Sequence, residues 1–225
     1  MLAWGCPAVA RDYPARPSRR QGRGERYAEG RGRHGQGRGG RRLGPSYRLF
    51  VAVEIPPDAT RELVGWQQKY LAGNHALRLT PVEQLHVTLI FLGQAGENER
   101  DLAVAQLEDL APPAAFEVTA TSIIGLPGGG SPGVIAAECV ELSGHLAAIH
   151  DELAAGFAAK GLYKGEKRPF LPHVTIARAR GRTLFDPAEI RPEPVKFTAV
   201  RVTLYNSVLK ASGALHEALK TVQLT

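Results

Sequence analysis

The sequence predicts an α+β fold with two related halves, in which antiparallel or mixed sheets are flanked by helices. Two short strings nearly repeat each other, since residues 85–92 read Leu-His-Val-Thr-Leu-Ile-Phe-Leu and residues 172–178 read Pro-His-Val-Thr-Ile-Ala-Arg. Each half also contains a long helical run and further strand-like runs. Some successive strands are joined by short hairpin-like connections and others by helical crossovers, whereas a doubly wound parallel fold has crossovers throughout. We therefore expect a duplicated two-lobe body with the active-site cleft between its lobes.

The first half is read from hydrophobic spacing and from the residues that end each run. Leu63, Trp66 and Tyr70 recur at helical spacing, whereas the run before Pro56 is continuous and rich in β-branched residues. The expected elements are a strand at 47–55, a helix at 58–72, a short strand at 77–80, a strand at 85–92 and a helix at 97–110.

The second half follows the same rules. Leu146, Leu153 and Phe157 lie on one face of a helical run, and Gly161 is placed to cap its end. The expected elements are strands at 115–124 and 134–140, a helix at 142–160, a strand at 172–179, and strands at 195–206 and 217–224.

The first 46 residues differ in composition from the rest. They carry eleven arginines, ten glycines and three acidic residues, a net charge of +8, so the remaining 179 residues of this +6 chain carry −2. Because large apolar side chains are scarce there, we expect residues 1–46 to be a disordered tail and residues 47–225 to be the folded domain. Two interpretations of the tail stay open: non-specific contact with nucleic acid through phosphates, or a dispensable extension.

The chain has two cysteines in unlike contexts, Cys6 in the tail and Cys139 in an apolar run. A disulfide is not expected, which fits a reducing compartment. No uninterrupted apolar run approaches the length of a membrane span. We therefore expect a cytoplasmic monomer with no membrane partner.

The repeated strings predict a shared reactive face. Residues two apart in a strand point the same way, so His86 and Thr88 share one face, and so do His173 and Thr175. If the two strands lie side by side, two imidazoles and two hydroxyls meet in one cleft. An imidazole accepts or gives a proton near neutral pH, which suits acid–base chemistry on a phosphate.

Other chemistries fit less well. A zinc site would need three or four close ligands, and neither string supplies a second one nearby. A Ser-His-Asp site is disfavoured because the sequence has no nucleophile elbow. The glycines at 128–130 lack the lysine of a phosphate-binding loop. We expect neither a metal nor a cofactor.

The paired motif resembles the two H-x-T-x motifs of the two-histidine (2H) phosphoesterases, and within them the RNA 2′,3′-cyclic phosphodiesterases, also called the 2′-5′ RNA ligase family. The likeness spans about residues 47–225. Its blocks are Arg48–Pro56, His86–Gly93, Arg168–Arg178 and Leu204–Ser207. Near the C-terminus the chain has Leu215-His216 where that family often has an aromatic residue.

The resemblance implies hydrolysis of RNA 2′,3′-cyclic phosphate ends to 2′-phosphomonoesters, without a metal, and the reverse 2′-5′ ligation as a side reaction. It implies His86 as proton donor and His173 as proton acceptor; the symmetry of the two strings does not decide between them. The hydroxyls of Thr88 and Thr175 can donate to the non-bridging oxygens of the phosphate.

Three further residues are candidates for substrate binding. Arg178 is a natural phosphate clamp, but five residues from His173 it faces the other way unless the strand ends or bulges. Arg168, in the loop before the second string, either meets the RNA backbone or is solvated. Phe50, like Phe91, either stacks on a base or packs in the core. The remaining histidines are expected at the surface without a role: His75, His145, His150 and His216.

Two other functions stay open. The chain could be a non-catalytic RNA-binding module of the same fold, which the intact histidines and threonines disfavour. It could also be a phosphodiesterase acting on small cyclic nucleotides, because a groove for a polymer is usually more basic than this body.

Overall fold

The computed structural model describes residues 45–225 except 112, 129, 188, 211 and 212. Residues 1–44 lie outside the described residues, so the expectation for the Arg/Gly-rich tail stays a prediction.

The described residues form nine strands and three α-helices in an α+β arrangement, which confirms the expected fold class. The strands are β1 (Tyr47–Glu54), β2 (Leu77–Leu79), β3 (His86–Ala95), β4 (Phe116–Leu126), β5 (Val134–Val140), β6 (His173–Ala179), β7 (Val195–Ala199), β8 (Arg201–Lys210) and β9 (Gly213–Gln223). The helices are α1 (Pro57–Trp66), α2 (Glu97–Glu108) and α3 (His145–Ala159). A π-helical turn, Gln67–Leu71, continues α1, and a 3₁₀ turn, Val82–Gln84, precedes β3.

All nine strands belong to one sheet in the order β7-β4-β5-β6-β3-β1-β8-β9, with β2 paired to β6. Each pairing among the described strands is antiparallel. The two predicted halves are therefore two sides of one sheet, β3-β1-β8-β9 and β6-β5-β4-β7. They join where Val87 of β3 pairs with Val174 of β6.

The sheet has two unlike faces. On one face the strand residues are fully buried against the helices in a single apolar core, which includes Val51, Val87, Val174, Leu107, Leu153 and Phe157. Burying a side chain of this size stabilises the fold by about 1.5–3 kcal/mol. The alternate residues form the opposite face, called here the open face and defined by Phe50, His86, Thr88, His173 and Thr175. Packing of the apolar set thus turns both histidines away from the helices.

The ends of the second long helix follow from two glycines. Gly161, at φ 71°, donates its N–H to the Ala158 carbonyl at 3.0 Å, and Leu162 donates to Phe157 at 2.8 Å. This hydrogen-bond pattern confirms the predicted C-terminal cap. The helix begins at 145 and not at 142, because Gly144 has a left-handed φ of 80°.

The run expected as one strand at 195–206 is two strands. β7 pairs with β4 in one half of the sheet, whereas β8 pairs with β1 in the other half. The chain therefore leaves the sheet at Val200, and hydrophobic pattern alone does not show such a crossing. The final strand also begins earlier than expected, at Gly213, which pairs with Lys210 of β8.

Candidate active site

The structure brings the two His-Val-Thr strings together. His86 is the first residue of β3 and His173 is the first residue of β6. Continuing the antiparallel Val87–Val174 pairing by one residue on each side sets His86 opposite Thr175 and Thr88 opposite His173. All four side chains are half-buried on the open face. Two imidazoles and two hydroxyls therefore lie together on the open face where β3 meets β6, which is the arrangement that the spacing predicted.

Each imidazole is oriented by a carbonyl two residues earlier. His173 donates from Nδ1 to the Leu171 carbonyl at 2.8 Å. The His86 ring is hydrogen-bonded to the Gln84 carbonyl, which raises its pKa. Because a carbonyl only accepts, the bonded nitrogen of a neutral His173 carries the proton, and Nε2 is left as a proton acceptor.

His86 is neutral at neutral pH in the free protein. Burial is the largest cause and lowers the pKa of its imidazole to about 4. The positive charges of His216, His173 and Arg178 lower it further, against the Gln84 hydrogen bond. A buried imidazole loses the hydration that stabilises its charged form. His86 will therefore hold a proton only when a nearby negative charge offsets these effects.

Phe50 lies against His86 instead of opening to solvent. It is 4% exposed, and its ring stacks on the His86 ring with centroids 4.9 Å apart and planes 28° apart. Tyr205 stacks on it as well, with centroids 5.2 Å apart. Of the two alternatives for Phe50, this placement favours packing over contact with a base. Its ring fixes the plane of the catalytic candidate His86.

The hydroxyls of Thr88 and Thr175 are free for a ligand. Both residues are half-buried on the open face. Neither hydroxyl has a hydrogen-bond partner within the part of the chain that the structure describes. A hydroxyl donor held in this way can meet a phosphate oxygen without first breaking a protein hydrogen bond.

A β-bulge brings Arg178 onto the open face. On β5, Ile135 pairs with Ala177 and Ala136 pairs with Thr175, so Ile176 has no partner there. The extra residue reverses the alternation, and Arg178 lies on the same face as Thr175. Its charge reaches His86, whose pKa it lowers. From the sequence, Arg178 could reach the face of His173 only if the strand ended or bulged before it, and the structure has such a bulge.

Gln67 holds this bulge. The residue is 3% exposed and lies in the π-helical turn after α1. Its Nε2 donates to the Ile176 carbonyl at 2.7 Å and to the Thr80 carbonyl at 2.8 Å. The Thr80 N–H also donates to the Ile176 carbonyl, at 3.0 Å. Gln67 thus gives the Ile176 carbonyl at the bulge a second, buried donor beside the Thr80 N–H.

Replacing Gln67 with leucine is expected to lower the free energy of unfolding by about 1–3 kcal/mol, because the buried Ile176 carbonyl and the part-buried Thr80 carbonyl each lose a donor. Urea unfolding followed by circular dichroism measures the change. Gln68→Leu is the matched control, because Gln68 is exposed on the same turn. Equal stability of the two variants would contradict the role assigned to Gln67.

A basic patch surrounds Arg178. Phe91 of β3 is 42% exposed, and the Arg48 guanidinium lies 5.1 Å from the centre of its ring. Arg78 pairs with Arg178 across β2 and β6. Burial, and then the charges of Arg78 and Arg48, lower the pKa of Arg178. Like charges held this close favour an anionic ligand.

Each catalytic candidate also has a glutamate as its cross-strand neighbour. Glu54 of β1 pairs with His86, and Glu138 of β5 pairs with His173. Glu138 accepts a hydrogen bond from Ser122 at 2.8 Å. Sequence reasoning missed both glutamates, because strand register decides which residue neighbours a histidine and no local pattern encodes it.

Glu54 is held by groups from β8. Its carboxylate accepts from Thr203 at 2.6 Å and from Tyr205 at 3.2 Å, and it pairs with Arg201 at 2.9 Å. Burial, and then the charge of Glu54, raise the pKa of Tyr205 to about 12. Tyr205 therefore stays protonated and acts as a donor.

His216 is in the site, contrary to the expectation of a surface residue without a role. Its ring meets the His86 ring edge-on, with centroids 5.4 Å apart. A pocket of about 240 Å³ lies beside them, and Glu54, Glu83 and Tyr205 also line it. The sequence signal was present, since His216 replaces a frequent aromatic residue of the family that the chain resembles.

Arg168 is a solvent-exposed residue of the segment that leads into β6. It is exposed in the loop between α3 and β6, with no hydrogen bond or ion pair in the described range. Phe170 of the same loop stacks on His150 of α3, with centroids 4.3 Å apart. His150 therefore has a structural contact, while the expected backbone contact of Arg168 stays a prediction.

Residues 45–225, outside the gaps named above, hold no group of three or more His, Cys, Asp or Glu side chains arranged to bind a metal ion. None of the helices described is long and apolar enough to cross a membrane.

Known proteins resemble this chain in sequence. The profile of the 2′-5′ RNA ligase superfamily matches residues 55–210, which include both His-Val-Thr strings and end before β9. The RNA 2′,3′-cyclic phosphodiesterase of Thermus thermophilus is 31% identical over 189 residues, 79% of this chain and 90% of that protein. The enzyme of the same name from Archaeoglobus fulgidus is 31% identical over 139 residues, 59% of this chain and 73% of that protein.

Solved structures show the same fold. A crystal structure of a Thermus thermophilus protein superposes with a TM-score of 0.67 at 29% identity, covering 79% of this chain and 97% of that one. E. coli LigT complexed with 3′-AMP superposes with a TM-score of 0.66 at 22% identity, covering 80% of this chain and 99% of that one.

Proposed function

The chain belongs to the 2′-5′ RNA ligase superfamily, and from this premise we propose that it hydrolyses RNA 2′,3′-cyclic phosphodiester ends to 2′-phosphomonoesters. The observation that carries the proposal is the meeting of His86, Thr88, His173 and Thr175 on one face of two adjoining strands. The names of the Thermus and Archaeoglobus relatives support the substrate class.

The proposed chemistry needs two proton transfers. A water molecule attacks phosphorus and gives its proton to Nε2 of His173, the nitrogen that is free to accept. The bond from phosphorus to the 3′ oxygen breaks, and His86 gives its proton to that oxygen. The 2′-phosphomonoester is released, and the proton returns from His173 to His86 through solvent. Each such transfer typically contributes about 10²–10⁴ in rate.

The threonines and Arg178 are proposed to serve the phosphate. Negative charge grows on the non-bridging oxygens as water attacks, and the Thr88 and Thr175 hydroxyls are placed to donate to them. Arg178 supplies a positive charge on the same face, and Arg168 is proposed to meet the RNA backbone.

Substrate binding is proposed to protonate His86. In the free protein the pKa of His86 is about 4, so the donor is uncharged at neutral pH. A cyclic phosphate between the rings brings one negative charge, which favours the imidazolium form. The acid would therefore form only with the anion in place.

The proposal is tested with an oligonucleotide that ends in a 2′,3′-cyclic phosphate. Phosphorus NMR of the product identifies the isomer. A 2′-phosphate supports the proposal, and a 3′-phosphate would assign the other ribose oxygen as the leaving group. No product with an intact fold would favour a non-catalytic RNA-binding module. The same assay with an added 5′-hydroxyl strand measures 2′-5′ ligation, in which the 5′-hydroxyl takes the place of the attacking water and the bond to the 3′ oxygen breaks in the same way.

Hydrolysis is expected to continue at an unchanged rate after dialysis against EDTA, because the imidazoles supply both protons and positive charge. Initial rates before and after dialysis measure this. A loss of activity that zinc restores, and magnesium does not, would contradict the metal-free mechanism.

Deleting residues 1–46 is expected to leave kcat/KM for a dinucleotide cyclic phosphate unchanged within about twofold, because all proposed catalytic residues lie between His86 and Arg178. Binding of a longer RNA at low salt is expected to weaken if the arginines contact phosphates. Loss of dinucleotide hydrolysis by a folded deletion variant would show that the tail belongs to the enzyme.

A further inference from the structure

His216 touches the group proposed as the acid of the reaction. Its ring lies edge-on to His86 at 81° and edge-on to Phe50 at 76°, with centroids 5.4 and 4.9 Å away. Phe50 in turn stacks flat on His86. The His86 ring is thus held on one side by a phenyl face and on another by an imidazole that can itself carry a proton.

The His216 ring has an unsatisfied atom. Its Nδ1 is buried and has no hydrogen-bond partner among the described residues. A buried nitrogen without a partner costs about as much as a lost hydrogen bond, so a purely structural role would be served better by a carbon ring. The presence of a ring nitrogen at this position therefore indicates that His216 has a role beyond packing.

Charged and titratable groups face these two rings from several elements. Around His216 are Glu83 of the 3₁₀ turn, Glu54 of β1, His86 of β3 and Tyr205 of β8. Burial lowers the pKa of His216, and the charge of Glu83 acts against this. His86 is faced in addition by His173 and Arg178 of β6.

We propose that His216 is a positioning residue of the active site, which holds the His86 ring edge-on and, when protonated, opposes the protonation of His86. The charges of His173 and His216 then both affect whether the His86 ring holds its proton. Acidification that charges His216 first would weaken the anion-driven protonation of its neighbour. The rate of hydrolysis would therefore fall at acid pH, in the range where His216 takes up a proton and opposes the protonation of His86.

The experiment uses the full chain and two neutral replacements, His216→Phe and His216→Gln, with His75→Phe as the matched control at an exposed position. NMR of the histidine ring protons follows the titration of His86 without any substrate. In both His216 variants the pKa of His86 is expected to rise by about half a unit or more. Two unit charges about 5 Å apart interact by about that much even in water-like surroundings.

A second readout is the pH profile of kcat/KM for a 2′,3′-cyclic phosphate. Because no charge on residue 216 then opposes the protonation of His86, the fall of activity on the acid side is expected to move to lower pH in both variants and to stay in place in His75→Phe. Only this kinetic readout rests on the proposed function. If the chain does not hydrolyse cyclic phosphates, the NMR titration of His86 still tests the role of His216. A His86 titration that is unchanged in both variants, or shifted in only one, overturns the proposal.

Discussion

Replacing His86 or His173 with alanine is expected to lower kcat/KM for a 2′,3′-cyclic phosphate about 10²–10⁴-fold, because each imidazole carries one proton transfer. The two residues come from the two halves of the sheet and lie on strands that pair at Val87 and Val174. Single-turnover rates on a cyclic-phosphate dinucleotide measure the loss.

The double variant is expected to be little slower than either single variant, since the two groups act on one step. His75→Ala, at an exposed position, is the matched control and should keep wild-type activity. Urea unfolding of each variant separates a loss of catalysis from a loss of fold. Full activity in a folded His86→Ala or His173→Ala variant would refute the paired role.

Acidification is expected to destabilise the fold through His86. Its pKa is lowered from 6.5 to about 4 in the folded state, so below pH 6.5 the unfolded chain takes up a proton that the folded chain does not. Stability therefore rises with pH in this window and is lost as the pH falls from 6.5 toward 4. A shift of this size corresponds to about 3 kcal/mol.

Comparison with His86→Asn isolates this contribution, because asparagine does not titrate. The free energy of unfolding of the wild type is expected to fall by about 3 kcal/mol more than that of His86→Asn between pH 7 and pH 4. His75→Asn controls for the substitution itself. Parallel curves for wild type and His86→Asn would show that burial does not keep His86 neutral.

Local pattern was enough to predict most elements and the centre of the site. The apolar alternation in His86-Val87-Thr88, and again after His173, predicts which side chains share a face, because residue parity in a strand is a local property. Helix α3 and its glycine cap were likewise readable, since spacing and Gly161 are both within one segment.

Register and bulges were not readable in the same way. Strict alternation along the strand predicts that Arg178 faces away from the cleft. The bulge at Ile176 puts it on the open face instead, and Gln67, 109 residues away in the chain, is hydrogen-bonded to that bulge. The sequence similarly treated His216 as a surface residue, because its contact with His86 is made by β9, which lies three strands from β3 in the sheet.

By itself the sequence determined the α+β class, the two His-x-Thr strands and the residues that share a face on each, because these depend on spacing within short segments. Only the tertiary structure decided that the two halves form one antiparallel sheet, and that Arg178, Glu54, Glu138 and His216 surround the histidines. Those neighbours depend on long-range strand pairing, in which a shift of one residue turns a side chain to the other face.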